Sequence, residues 1–286
     1  MISWNRVTII GVGLIGGSLG MALKAKGLAR AVVGVGHRQA SLDQAVARGA
    51  VEETTLSPTA GVAGSDLVVL ATSPALFQPI MAEIAPALAP GAVVIDVGST
   101  KAGIMAALEP MAPPGRTFIG CHPIAGSEQR GIEHARADLF EGAACIITPT
   151  PRTPPPALDR VAETWRGVGM RIRVLSPQGH DRLLAEVSHL VHLAAASLVY
   201  VVDSDSDTVV GPGWIDTTRV ASGDPALWRD ILLANAADVT GALDELRRVL
   251  DSFREALRAG DGTRIERMLT EAKARRDRLI EPKESR

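Results

Sequence analysis

The residues best suited to chemistry fall in four short runs. Gly120-Cys121-His122-Pro123-Ile124-Ala125-Gly126-Ser127-Glu128 follows a short apolar segment. A histidine set among glycines and a proline at a strand end sits on a fixed turn. Imidazole is the natural acceptor of an alcohol proton near neutral pH; the competing reading is a structural histidine. Asp96-Val97-Gly98-Ser99-Thr100-Lys101 is a second polar run. His189 and His192 are spaced to share one helical face. Gly211-Pro212-Gly213-Trp214-Ile215-Asp216-Thr217-Thr218-Arg219 precedes Ser222-Gly223-Asp224-Pro225 and Trp228-Arg229-Asp230. The planar fork of an arginine beside a Gly-rich loop suits a carboxylate; otherwise Arg219 makes a surface ion pair. No metal is expected. The histidines lack further ligands at metal spacing. Asp203, Asp205 and Asp207 mimic a calcium loop, but Thr208 stands where its glycine belongs and Trp214 where its closing Glu belongs.

These groups need a scaffold, and the first hundred residues predict one. Apolar runs at 6–10, 31–35, 67–71 and 92–96 read as strands, separated by helical patterns at 14–26 and 41–48, the latter capped by Ser41. Continuous apolar strands alternating with helices imply a parallel sheet covered on both faces. Between the first strand and helix lies Gly11-Val12-Gly13-Leu14-Ile15-Gly16. Its first glycine permits a tight turn, its second a close approach of pyrophosphate, and its third close packing of helix on strand. The phosphates then meet free N–H groups at the helix N-terminus. A dinucleotide is therefore expected. The second strand ends in Gly36-His37-Arg38 instead of an acid, and Asp43 already lies in the next helix. Two potential cations suit a 2′-phosphate, so NADP is expected before NAD. Thr72 and Ser73, after the third strand, join Gly11, Gly13, Leu14, Ile15, Gly16, His37, Arg38 and Ser99 as cofactor-binding candidates.

The Pro-rich stretch 148–156 resembles a linker, but a helix at 157–168 and a strand at 170–175 follow it. The boundary is placed at Ser176-Pro177, giving a dinucleotide-binding domain over 1–176 and a helical domain over 177–286. Helices are expected at 180–202, 225–257 and 263–279. Hydrophobic residues make up 46% of the 286, aromatics only 3%, and net charge is −2. That balance argues against nucleic acid and acidic membranes as partners. No run of about 20 apolar residues suggests a membrane span. No secretory leader is visible, and two cysteines without metal or redox spacing fit a reducing cytoplasm. A helical domain poor in aromatics is expected to bury its remaining apolar surface against a twin, as a homodimer.

Taken together, GVGLIGGSL (11–19), DVGSTK (96–101), GCHPIAGSEQRGIEHARADLFEGA (120–143), HDRLLAEVSHL (180–190) and DTTRVASGDPALWRDI (216–231) resemble the prephenate/arogenate dehydrogenases of tyrosine biosynthesis, over nearly the whole chain. The resemblance implies a Rossmann-like domain followed by a helical dimerisation domain. It implies oxidative decarboxylation: hydride leaves the hydroxyl-bearing ring carbon for the nicotinamide, carbon dioxide departs, and the ring becomes aromatic. His122 would accept the hydroxyl proton or its hydrogen bond. Ser99 would place that hydroxyl and His122. Arg219 would bind the side-chain carboxylate. Ser127, His189, His192 and Trp228 would line the pocket, which Glu128 would gate or polarise. Tyrosine, where it inhibits, would compete at this site. Two departures from the family pattern stand out: Val191 replaces a proline between the paired histidines, and Gly36-His37-Arg38 replaces the acid. The alternatives are another Rossmann-type hydroxyacid dehydrogenase and a non-catalytic NADP-sensing module. The first would need a lysine on the helix at 180–202, which has none. The second would have no use for Ser99, His122 and Arg219 together.

Overall fold

The structure is a computed structural model and describes residues 4–126, 129–202 and 209–280. Its centre is an eight-stranded sheet. The strands are β1 (Trp4–Ile10), β2 (Ala29–Val35), β3 (Glu53–Thr55), β4 (Leu67–Leu70), β5 (Val93–Asp96), β6 (Thr117–Ile124), β7 (Ala144–Thr148) and β8 (Arg171–Val174). Their spatial order is β3-β2-β1-β4-β5-β6-β7-β8. From β3 to β6 every pair is parallel, in the order of a dinucleotide-binding sheet. β7 runs antiparallel to β6, and β8 runs parallel to β7.

Strand alternation sends side chains to two cores. Val7 and Ile9 of β1, Leu67 and Val69 of β4, and Val93 and Ile95 of β5 enter one. Ile10, Val68, Leu70 and Val94 enter the other. The first is closed by α1 (Leu14–Ala25), α2 (Gln39–Ala47) and α6 (Pro155–Gly167), through Leu19, Leu23, Leu42, Val161 and Trp165. The second is closed by α3 (Pro58–Val62), α4 (Phe77–Ile84) and α5 (Ala102–Leu108), through Val62, Phe77, Met81, Ile84, Met105 and Leu108. Each fully buried large apolar side chain contributes about 1.5–3 kcal/mol. The sheet is thus anchored on both faces, and its strand ends are free to carry loops.

Several local expectations are corrected. β3 went unread because three residues, Glu53-Thr54-Thr55, make too short a pattern. α2 starts at Gln39 with Arg38 at its N-cap, so Ser41 sits inside the first turn and does not cap it. His122 lies within β6, not after it. Parallel pairing with β5 covers only Thr117–Ile119, and antiparallel pairing with β7 carries the strand on to Ile124.

The chain divides into two compact units, 1–236 and 237–286. In the first, Ser176 caps α7 (Pro177–Leu184) by accepting from Gly179 N–H at 3.0 Å. A π-helical turn, Ala185–His189, joins α7 to α8 (Leu190–Tyr200), so the expected helix over 180–202 is interrupted. By length and composition Pro177–Tyr200 could pass for a membrane-crossing helix, with mean hydropathy 1.4. Its buried His180, Asp181 and His189, however, are hydrogen-bonded to other elements, as in a packed core helix. A short helix, α9 (Pro212–Thr218), occupies part of the expected loop. The expected helix at 225–257 breaks at Asn235 into α10 (Pro225–Ala234), capped by Asp224, and α11 (Ala236–Ala259). In the second unit α11 and α12 (Gly262–Ile280) carry ion pairs at helical spacing, such as Arg248–Glu245 and Lys273–Asp277.

Candidate active site

The glycine loop meets the physical demands of a dinucleotide. Gly11 has φ +101°, and a side chain there would come within 2.7 Å of the Ala71 backbone. A Cβ on Gly16 would lie 2.0 Å from the Gly11 carbonyl oxygen and 2.9 Å from Ile9 Cγ2. Around Gly13, by contrast, nothing lies within 4 Å of a Cβ position. Gly13 is also the N-cap of α1, which has neither a side-chain cap nor an acid in its first turn. Unpaired N–H groups and the helix dipole therefore face open space, a good fit to pyrophosphate. His37 and Arg38 are exposed beyond the end of β2, while Asp43 is engaged by Gln39 at 2.8 Å. Thr72 and the exposed Ser73 follow β4.

His122 projects from β6 on the α5 side of the sheet, the side on which a Cβ at its neighbour Gly120 would meet Lys101 and Met105. Four residues on, Gly126 (φ +128°) faces Ile15 of the glycine loop: a Cβ there would lie 3.4 Å from Ile15 Cδ1. The His122 turn therefore reaches the cofactor loop. His122 Nδ1 is 2.9 Å from His180 Nε2. His180 Nδ1 is 2.7 Å from Asp181 Oδ1. Asp181 in turn accepts the N–H groups of Lys101 at 2.7 Å and Ala102 at 2.8 Å, at the start of α5. Burial opposes the Asp181 charge, yet the bonds from His180 and those two N–H groups outweigh it and hold the carboxyl below its ordinary range. Burial, and after it the positive charge of nearby Lys101, pushes His122 well below the usual imidazole value, so its ring is neutral at pH 7. Lys101 itself is fully buried in an ion pair with Asp96, 2.5 Å apart. Asp96 also accepts from the N–H groups of Gly98 and Cys121. Enclosed and committed in this way, Lys101 is a strut and not a base.

A second cluster surrounds Trp228 on α10. His192 stacks on its indole, with centroids 3.6 Å apart and planes 12° apart. His189 meets the same ring edge-on at 6.3 Å. Gly223 makes room for it: a Cβ there would lie 2.3 Å from Trp228 Nε1. The His192 Nδ1 atom is buried without a hydrogen-bond partner among the described residues. Asn235 Nδ2 spans 2.8 Å to the Asp181 carbonyl and 3.2 Å to His189 Nδ1. A carbonyl only accepts, so the amide nitrogen must face it. Its second hydrogen then goes to His189 Nδ1, leaving that proton on Nε2. Burial lowers the His189 pKa to about 4, against the Asp181 charge that would raise it.

The predicted residues thus fall into place unevenly. His189, His192 and Trp228 form one cluster. His122 is bonded to His180, while Ser99, half-buried on the β5–α5 loop, has no hydrogen-bond partner among the described residues. Arg219 is exposed at the end of α9 and has no ion pair among the described residues. Ser127, Glu128, Asp203, Asp205 and Asp207 lie outside the described residues.

Comparison with known proteins identifies this arrangement. Residues 19–174 match the nucleotide-binding domain of prephenate dehydrogenase, and residues 176–271 match its dimerization domain. The chain belongs to the prephenate dehydrogenase family. Among its relatives, prephenate dehydrogenase of Bacillus subtilis is 30% identical over 96% of this chain and 76% of its own length. Cyclohexadienyl dehydrogenase of Zymomonas mobilis is 32% identical, covering 92% of each chain. The crystal structure of Aquifex aeolicus prephenate dehydrogenase in complex with hydroxyphenyl propionate and NAD+ superposes with TM-score 0.89 at 32% identity, over 97% of this chain and 99% of that one. For a prephenate dehydrogenase family member, three buried groups at the centre were not singled out from sequence: His180, Asp181 and Asn235. Adjacent His-Asp on an early helical turn was a visible signal for the first two. Asn235 left none, since an asparagine inside a helical pattern reads as a solvated residue.

Proposed function

We propose that this chain catalyses the oxidative decarboxylation of prephenate, arogenate or both, using NADP in preference to NAD. The observation that carries the reading is the His122 ring. Its Nδ1 is committed to His180, and its Nε2 takes no hydrogen bond among the described residues. A neutral imidazole held this way accepts the ring hydroxyl's proton at Nε2. A bound nicotinamide supplies the hydride acceptor. Gly11, Gly13, Leu14, Ile15 and Gly16 hold the pyrophosphate, with Thr72, Ser73 and Ser99 at neighbouring strand ends. Exposed His37 and Arg38 favour a 2′-phosphate. Ser99 orients the substrate hydroxyl, Arg219 takes the side-chain carboxylate, and His189, His192 and Trp228 shape the pocket, with Ser127 and Glu128 completing it. Aromatisation drives the loss of carbon dioxide, so positioning and deprotonation are the protein's main tasks.

The domain division falls between residues 176 and 177, and the protein works as a cytoplasmic homodimer. The match to a dimerization domain supports the dimer, as do Val199, Tyr200 and Val201, apolar and exposed at the end of α8. Where tyrosine inhibits, it competes for the same pocket. Spectrophotometric reduction of NADP and NAD with each substrate tests the reading. Turnover of at least one substrate is expected, with higher kcat/KM for NADP. A folded, cofactor-binding protein that turns over neither would overturn the activity, and a clear NAD preference would overturn the cofactor assignment. His122→Asn is expected to lower kcat ~10²–10⁴-fold with cofactor affinity unchanged.

A further inference from the structure

We infer that His180 and Asp181 form a positioning relay behind His122, one that sets which of its ring nitrogens carries the proton. The inference rests on the reading of His122 as proton acceptor. Its geometry is a continuous line of short contacts from the start of α5 to the end of β6. Asp181 is the fixed end. It takes two backbone N–H groups from Lys101 and Ala102, and so caps α5, whose N-cap residue Lys101 offers no side-chain cap of its own. That same Lys101 side chain is turned away into Asp96.

A carboxylate only accepts, so the proton between Asp181 and His180 must sit on His180 Nδ1. In neutral His180 the other nitrogen, Nε2, then has a lone pair to offer. It faces His122 Nδ1 at 2.9 Å, so His122 must donate from Nδ1. The single remaining lone pair on His122 is Nε2, which receives the substrate proton. The reverse tautomer would present N–H to the substrate hydroxyl and could accept nothing.

The step itself is balanced. The substrate O–H bond breaks and a His122 Nε2–H bond forms. The new imidazolium keeps its Nδ1–H on His180, whose far side is tied to the Asp181 carboxylate. Both relay residues are buried, at 0% and 3% exposure, so bulk water cannot compete for these bonds. Among the described residues, the charged and titratable groups acting on His122 are Lys101 from the β5–α5 loop, His180 from α7, with Asp181 behind it, and His189 from the π-helical turn. Of these, Asp181 is the one negative group, and it reaches His122 through His180.

The test has two arms. Imidazole ¹⁵N NMR of the wild-type protein, with histidines assigned by substitution, is expected to show resting His122 as one tautomer protonated on Nδ1. A His122 protonated on Nε2 would overturn the relay, whatever substrate the enzyme uses. In the second arm, His180→Leu is expected to lower kcat roughly 10–100-fold, the usual scale for losing a partner that orients a reacting group. Substrate KM and cofactor Kd should stay within about threefold, and His180→Gln, which restores an acceptor, should recover most of the loss. A His180→Leu enzyme with wild-type kcat, or one impaired only in KM, would overturn the proposal. Should His122→Asn keep full activity, the acceptor reading fails by itself, and the wild-type tautomer still decides the geometry.

Discussion

Arg219 stands exposed beside the buried Thr218, where α9 passes into a 3₁₀ turn. Holding no acid among the described residues, its guanidinium is available for a ligand. Arg219→Ala is expected to raise substrate KM by the worth of a charge-assisted pair, ~2–5 kcal/mol, with a smaller effect on kcat. Steady-state kinetics with prephenate and arogenate check this, and an unchanged KM for both would remove Arg219 from substrate binding. Residue types and spacing pointed to His122, flanked by glycines and a proline, to Arg219 beside a Gly-rich loop, and to His189 and His192, which share one helical face. They could not point to Asn235. Its role depends on meeting the Asp181 carbonyl, 54 residues away in the chain, and His189, 46 away.

The strand–glycine loop–helix element separates packing from binding within six residues. Gly16 faces backbone, and Gly13 faces open space. Gly16→Ala should therefore push α1 off β1, an overpacking cost of about 1–3 kcal/mol, equivalent to a Tm drop of roughly 2–4 °C per kcal/mol. Gly13→Ala should leave Tm unchanged and raise cofactor Kd at least about tenfold. Thermal melts beside cofactor titrations distinguish the two, and a stable Gly16→Ala or a tightly binding Gly13→Ala would contradict the assignment of roles. This element was legible because strand, loop and helix are local patterns. The breaks in the C-terminal helices were not. The π-helical turn ends at His189 and α10 stops at Asn235, and these two side chains meet each other, Asn235 also reaching the Asp181 carbonyl. Periodicity carries no mark of such tertiary demands.

At the scale of the whole protein, burying neutral histidines makes stability depend on pH. His189 titrates near 4 when folded, against an ordinary value of 6.5. Between those values the unfolded chain binds a proton that the folded chain does not. Its stabilisation is therefore complete above about pH 6.5 and is lost as pH falls toward 4, with a slope approaching about 1.4 kcal/mol per pH unit for one proton. His122 and His192, also shifted down by burial, act with the same sign. Asp181, held below its ordinary value of 3.8, extends the loss to lower pH. Urea midpoints near pH 7 and pH 5 measure this. The midpoint should be lower at pH 5, and a midpoint equal or higher there would contradict it.

The sequence by itself determined the sheet order's underlying βαβ rhythm, the dinucleotide loop and the resemblance that carries the chemistry. Each is written in neighbouring residues, through strand alternation, helix caps and the conformations only glycine allows. Tertiary structure alone decided that β6 turns from a parallel to an antiparallel partner halfway along, which keeps His122 on a rigid strand. It also decided that His122 meets His180 across 58 residues and that Asp181 caps a helix 80 residues before it. Contacts at such separations are set by how layers pack, and no local pattern encodes them.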